Sequence, residues 1–296
     1  MNGQMNKAAF EVKVHGKFIV AGEHSVLRGS PALVFPFFGK ALKLKFEPSQ
    51  RPLEVRSPQD DQVQLVTSGL LEKALAQVEH RKEELNGVLY LDNSIPVGAG
   101  LGASAALCVS ISQFLIWKGW LNPEQIHEFA RDLENIFHGE SSGVDVAVAV
   151  SEKPLMFERG GRRESFEPKW KPAWALSYCG SRGMTADAIS MVKSFIEADP
   201  ARGVETDKKM SDAVLLASRA LSESQDEGFS KLASAIENAS QCFATWGLTE
   251  GALGSKLADL KARGAVAAKP TGSGAGGFIL SLWRDRVPRD PELLKI

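Results

Sequence analysis

The chain has 296 residues, 44% hydrophobic and 24% charged, an ordinary globular composition on a length that exceeds what one hydrophobic core usually spans. With 35 Lys and Arg against 36 Asp and Glu, the net charge of −1 leaves no basic face for nucleic acid or an anionic membrane surface, so a small-molecule partner is expected. Cys108, Cys179 and Cys242 are far apart and lack C-x-x-C spacing, which argues against a disulfide framework and a zinc site and for a reducing compartment.

In chain order, MNGQMNKAAFEVKV contains no apolar stretch long enough for a signal peptide, and no later segment approaches the ~20 apolar residues that cross a bilayer. A cytoplasmic protein is expected. Phe10, Val12 and Val14, then Phe18 and Val20, alternate as a half-buried strand does, and the chain turns at AGEHSVLRGSPA. Leu42, Leu44 and Phe46 alternate with Lys43 and Lys45, giving a strand with one wet face and an antiparallel early sheet. Over 63–85, Leu70, Leu71, Ala74, Leu75 and Val78 recur at helical spacing, and Asn86-Gly87 reads as the stop. GVLYLDNSIP is a strand, 103–117 a buried helix, and Asn122-Pro123-Glu124 the capped start of a helix over 123–137.

From Pro154 the character changes to strands (PLMF, WALSYC), then helices between Ala186 and Arg263, then the strands AVAAKPTG and GGFILSLW around a glycine loop. The charged, Pro- and Gly-rich RGGRRESFEPKWKP marks a domain boundary, dividing the chain into 1–160 and 161–296.

Between the strand and the helix lies IPVGAGLGASAA, with Gly98, Gly100 and Gly102 on alternate positions. Such a loop either serves as a flexible turn or brings backbone N–H groups and a helix N-terminus to an anion. The spacing is neither that of a Walker loop nor G-x-G-x-x-G. Phosphoryl transfer needs phosphate donors, a metal held by hydroxyl and carboxylate, and a group that manages the nucleophile's proton. Ser104 could offer its hydroxyl to Mg2+ or cap the helix; Glu134, near a helix end that disfavours its charge, could meet a metal or lie on a solvated face. Asp145, before the apolar VAVAV, could cap the next helix or act as a base, with Lys17 as its countercharge or as a snorkelling lysine. The Gly272 to Gly277 loop is generous for a hairpin turn and suits close approach to a ligand. G-E-S-S-G at 139–143 formally matches a hydrolase nucleophile elbow, but a helix precedes it and no histidine follows Ser141.

Together, HGKFIVAGEHSVLRGSPAL (15–33), IPVGAGLGASAA (95–106), ENIFHGESSGVD (134–145) and KPTGSGAGGF (269–278) resemble the ordered blocks of the GHMP small-molecule kinases, in the form carried by mevalonate kinases. That resemblance implies an α+β fold of two domains, an N-terminal one containing a left-handed β-α-β unit and a C-terminal one that is ferredoxin-like. It also implies ATP- and Mg2+-dependent phosphorylation of the mevalonate 5-hydroxyl in isoprenoid synthesis. Carried over residue by residue, it makes Asp145 and Lys17 catalytic and Ser104 and Glu134 the Mg2+ ligands. Gly98, Gly100, Leu101, Gly102, Ala103 and Ser104 become the ATP loop, and Glu23, His24 and Thr185 the substrate side. Ala103 stands where the family usually has a serine, and Ala275 interrupts the glycines of the last block. Phosphomevalonate kinase is the neighbouring alternative, a non-catalytic nucleotide sensor a more distant one, and a homodimer is left open.

Overall fold

The structure is a computed structural model and describes residues 9–58 and 61–296. Residues 1–8, most of the stretch read for a signal peptide, lie outside the described residues. β1 (Phe10–Ala21) and the long β2 (Ala32–Pro52) form an antiparallel hairpin. β2 buries Leu42, Leu44 and Phe46 and leaves Lys43 wet, as the alternation requires. The register slips between His15 and Gly16, so the two halves of β1 pair with separate stretches of β2. A Cβ on Gly16 would lie 3.1 Å from the Leu101 carbonyl oxygen. The unpaired residues, Phe38, Gly39 and Lys40, lie on β2, and beside this irregularity the 95–102 loop docks on β1, where the Lys17 N–H donates to the Leu101 carbonyl.

β3 (Glu54–Arg56), α1 (Asp61–Gln77) and β4 (Asn86–Asn93) form a β-α-β unit whose two strands pair in parallel. The helix is shorter than the apolar spacing predicts. Glu79 takes a positive φ of 60° and the His80 N–H donates to the Leu75 carbonyl at 2.9 Å, closing the helix with a left-handed residue that is not glycine. Asn86-Gly87 instead opens β4, where a Cβ on Gly87 would come within 2.3 Å of the Glu47 carbonyl oxygen.

α2 (Ala103–Trp117) fills the centre of the N-terminal half and packs on α3 (Ile126–His138), α4 (Val144–Ser151) and β1. Asn122 accepts from the Glu124 N–H at 3.1 Å and Pro123 begins a short 3-10 turn before α3, as the cap signal predicts. β5 (Leu155–Phe157) and β6 (Arg163–Ser165) complete the first sheet, in the order β3-β4-β2-β5-β6 with β1 on β2. The chain changes sheets between Ser165 and Ala173.

β7 (Ala173–Tyr178) is followed by α5 (Thr185–Ala198), α6 (Pro200–Ser222), α7 (Gln225–Thr245) and α8 (Ala252–Ala262), then β8 (Ala267–Thr271), β9 (Phe278–Trp283) and β10 (Leu294–Lys295). The second sheet is antiparallel, ordered β10-β7-β9-β8, and β9 is buried along its length, so FILSLW is apolar but for Ser281, whose hydroxyl donates to the Ala175 carbonyl at 3.2 Å. Asp199 before Pro200 caps α6, and a Ser224–Glu227 capping box starts α7. Phe18 and Phe35 from the first sheet set their rings against Trp174 of the second, 5.4 and 5.3 Å between centroids, joining the halves beneath the site. The three cysteines are free, and no helix among the described residues is long and apolar enough to cross a membrane.

Candidate active site

Main chain builds much of the site. After β4 the loop bends through Gly98, Gly100 and Gly102, all at positive φ. At Gly100 a Cβ would lie 2.4 Å from the Thr271 carbonyl oxygen; at Gly102 it would lie 2.9 Å from Cγ of Lys17 and 3.7 Å from Oδ2 of Asp145. Glycine is required at both positions by contact as well as by conformation. The loop is braced on each side. The Lys17 N–H donates to the Leu101 carbonyl at 3.0 Å, and the Phe278 N–H donates to the Ala99 carbonyl at 3.1 Å. The second glycine loop, 272–277, lies against the first, since a Cβ on Gly272 would meet Gly100 Cα at 2.6 Å. α2 begins at Ala103 with no side chain capping its first amides, which leaves those N–H groups, with the helix dipole behind them, open to an anion.

Lys17, next to Gly16 on β1, points inward, and its Nζ stands 3.0 Å from Asp145 Oδ2. The lysine is buried and does not snorkel. Asp145 does not cap α4; Gly143 occupies that position, and Asp145 lies in the first turn, where the helix dipole favours its charge.

Glu134 is 3% exposed, so the solvated-face reading does not hold. Its Oε2 accepts from Ser141 Oγ at 2.5 Å, and its Oε1 lies 3.4 Å from Ser104 Oγ. Burial pushes its carboxyl up to about 7 and the charge of Asp145 adds to this, while Ser141, Lys17 and Ser104 oppose the shift. Ser104 Oγ also pairs with His138 Nε2 at 3.0 Å, and burial lowers the pKa of that imidazole. The G-E-S-S-G segment thus commits the Ser141 hydroxyl to the Glu134 carboxylate, to which it donates.

Lys17, Asp145, Ser104 and Glu134 therefore converge at the first glycine loop. The other predicted residues gather at the second. His24 Nε2 donates to the Ser273 carbonyl at 2.8 Å, and Thr185 Oγ1 reaches Ser273 Oγ at 3.4 Å. Burial lowers the His24 pKa to about 4, so the ring is neutral there. Glu23 turns inward and pairs with Lys269 Nζ. Arg182 passes the first loop, its Cδ 4.0 Å from where a Gly98 Cβ would be, whereas Lys169 is on the exposed segment whose backbone binds Leu221 at the end of α6.

Sequence reasoning missed Ser141, Ser273 and Lys269. Ser273 and Lys269 lie inside the quoted KPTGSGAGGF block, and Ser141 lies inside ENIFHGESSGVD, so each signal was present without a partner to interpret it.

Residues 69–153 match the model of the GHMP kinases N-terminal domain. A mevalonate kinase from Aeropyrum pernix is 28% identical over 95% of this chain and 90% of its own. Among solved structures, L. major mevalonate kinase in complex with R-mevalonate superposes with a TM-score of 0.78 at 20% identity, covering 95% of this chain and 89% of that one. The mevalonate kinase of Methanococcus jannaschii gives 0.73 at 15% identity, over 95% and 92%. With a GHMP kinases N-terminal domain match at the glycine loop, relatives aligned over nearly the whole length and the same fold in both halves, this chain is similar to the GHMP small-molecule kinases, and to the mevalonate kinases among them.

Proposed function

We propose that the chain transfers the γ-phosphoryl group of ATP to the 5-hydroxyl of (R)-mevalonate, giving 5-phosphomevalonate for isoprenoid synthesis. The observation that carries this is the Lys17–Asp145 contact at 3.0 Å beside Gly102, a carboxylate and its counterion where a glycine loop opens a helix. The N–H groups of 98–104 and the α2 dipole bind the phosphate oxygens and take up charge as the transfer proceeds. Asp145 orients the acceptor hydroxyl and receives its proton; Lys17 holds that carboxylate in place and stabilises the developing alkoxide. His24 and Thr185, both anchored on Ser273, and the turn that carries Glu23 form the acceptor side.

The donor set fits Mg2+. Ser104 and Glu134 present hard oxygen atoms, and Glu134 is a buried carboxylate whose own hydrogen-bond partners are hydroxyls, so a cation would complete its surroundings. Mg2+ takes much of its coordination shell from substrate phosphates and water, so one carboxylate and one hydroxyl from the protein are enough. Bound there, Mg2+ would neutralise phosphate charge. The two halves, divided near 160, would each supply one glycine loop to the cleft.

The test is ADP release from Mg-ATP with mevalonate, 5-phosphomevalonate, homoserine and galactose, run beside Asp145→Asn. Turnover with mevalonate alone, lost in the variant, is the expected result. Turnover with 5-phosphomevalonate would move the substrate one step along, and ATP binding without turnover would leave a nucleotide-binding protein.

A further inference from the structure

Lys269 has no role in the account above, yet it is 0% exposed, an uncommon place for an ammonium group. Its Nζ donates to Glu23 Oε1 at 2.5 Å and to the Ile19 carbonyl at 3.2 Å, with the Phe243 ring centroid 5.2 Å away. Glu23 is nearly as enclosed, and its Oε2 has no hydrogen-bond partner among the described residues. Two residues further along, Thr271 makes a second tie, accepting from the Ile19 N–H at 2.8 Å through Oγ1. Two further still, the Ser273 carbonyl accepts from His24 at 2.8 Å. Lys269 and Thr271 share one face of β8 and Ser273 follows in the glycine loop, so these ties stitch the end of β1 and the turn after it to the second glycine loop. His24 sits at a φ of 61°, a conformation that a histidine keeps only when its surroundings over-determine it.

A buried charge pair is a poor stabiliser beside apolar side chains of equal volume, but its strict geometry fixes register. We propose that Lys269 is a positioning residue: through Glu23 it holds the His24 turn against Ser273 and so sets where the second glycine loop stands over the first. This rests on the kinase reading for its kinetic consequence, while the positioning itself can be measured without turnover.

The experiment compares Lys269→Met, Glu23→Gln and the double variant by kcat and KM for ATP and acceptor, by thermal unfolding, and by amide hydrogen exchange. In Lys269→Met, exchange at 22–25 and 272–277 should rise while β4 keeps its protection. kcat/KM for the acceptor should fall by about a hundredfold, the scale of a 1 Å misplacement. The double variant should match Glu23→Gln in kcat/KM, because two residues on one path do not add. Three results would overturn the proposal: singles whose effects multiply in the double, unchanged exchange at 272–277, or a double variant that recovers both stability and wild-type kcat/KM, as a purely structural pair would. Should Lys269→Met fail to fold, the double variant, which leaves no lone buried charge, carries the same comparison against Glu23→Gln. If the wild-type protein phosphorylates no acceptor, the kinase reading falls and the exchange data alone decide the positioning role.

Discussion

Replacing Gly100 with alanine would place a methyl group 2.4 Å from the Thr271 carbonyl oxygen at a φ of 83°. The backbone conformation alone costs about 1–2 kcal/mol for a residue with a Cβ. The contact adds a second demand. Ordinary van der Waals distance begins at 3.4 Å, and the obstructing atom is backbone, so one loop must retreat by about 1 Å. A displacement of that size in a positioning element costs about a hundredfold in rate. Gly119 provides the control, since it shares a positive φ, 75°, with nothing within 4 Å of its Cβ position. Both alanine variants should unfold at lower temperature, but only Gly100→Ala should lose kcat/KM, about a hundredfold, in a coupled assay of ADP release with mevalonate. A Gly100→Ala enzyme as active as Gly119→Ala would refute the argument that the packing of the two loops sets the phosphate position.

Asp145→Asn should reduce kcat by about 10²–10⁴, the range of a lost acid-base group, with KM for ATP little altered in steady-state kinetics. Glu134→Gln and Ser104→Ala should each raise the Mg2+ concentration needed for half-maximal rate, read from a magnesium titration at fixed ATP. For His24, burial lowers the folded pKa from 6.5 to about 4, so the folded protein binds fewer protons than the unfolded chain between those values. The His24 contribution to stability is therefore complete above pH 6.5 and is lost as pH falls toward 4, by about 3 kcal/mol. Denaturant unfolding of wild type against His24→Asn, whose side chain tolerates positive φ, should show the difference shrinking across that window; a difference flat from pH 4 to 7 would contradict it.

The strands and helices with strong periodicity were legible because one face of each is buried along its length. α2 was placed at both ends, since Gly102 precedes it and apolar residues fill it. The end of α1 was not, because Glu79 supplies the left-handed cap that a sequence reader assigns to glycine, and Gly87 answers instead to the close passage of Glu47. β3, β6 and β10 are two or three residues long and exist only through their partners. The same holds at the site. Lys17, Asp145, Ser104 and Glu134 were nameable from motif chemistry, but that Glu134 meets Ser141 and Ser104 meets His138 depends on how α2, α3 and α4 pack. Lys269 was the least visible. In AVAAKPTG it resembles any lysine on a strand edge, and its burial is explained only by Glu23, 246 positions away.

The two glycine loops touch through backbone atoms, Gly100 against Gly272 and Phe278 N–H on the Ala99 carbonyl. The joint itself carries no side-chain identity, so its position rests on the side chains that tie the second loop from outside, His24 and Thr185 on Ser273 and Lys269 on Glu23. Met184, just before α5, holds its side chain largely in solvent and can be exchanged without touching those ties, whereas Thr185 makes one of them. Under the proposed function, exposed positions of that kind are where acceptor choice can be redesigned one residue at a time while the two loops stay in contact.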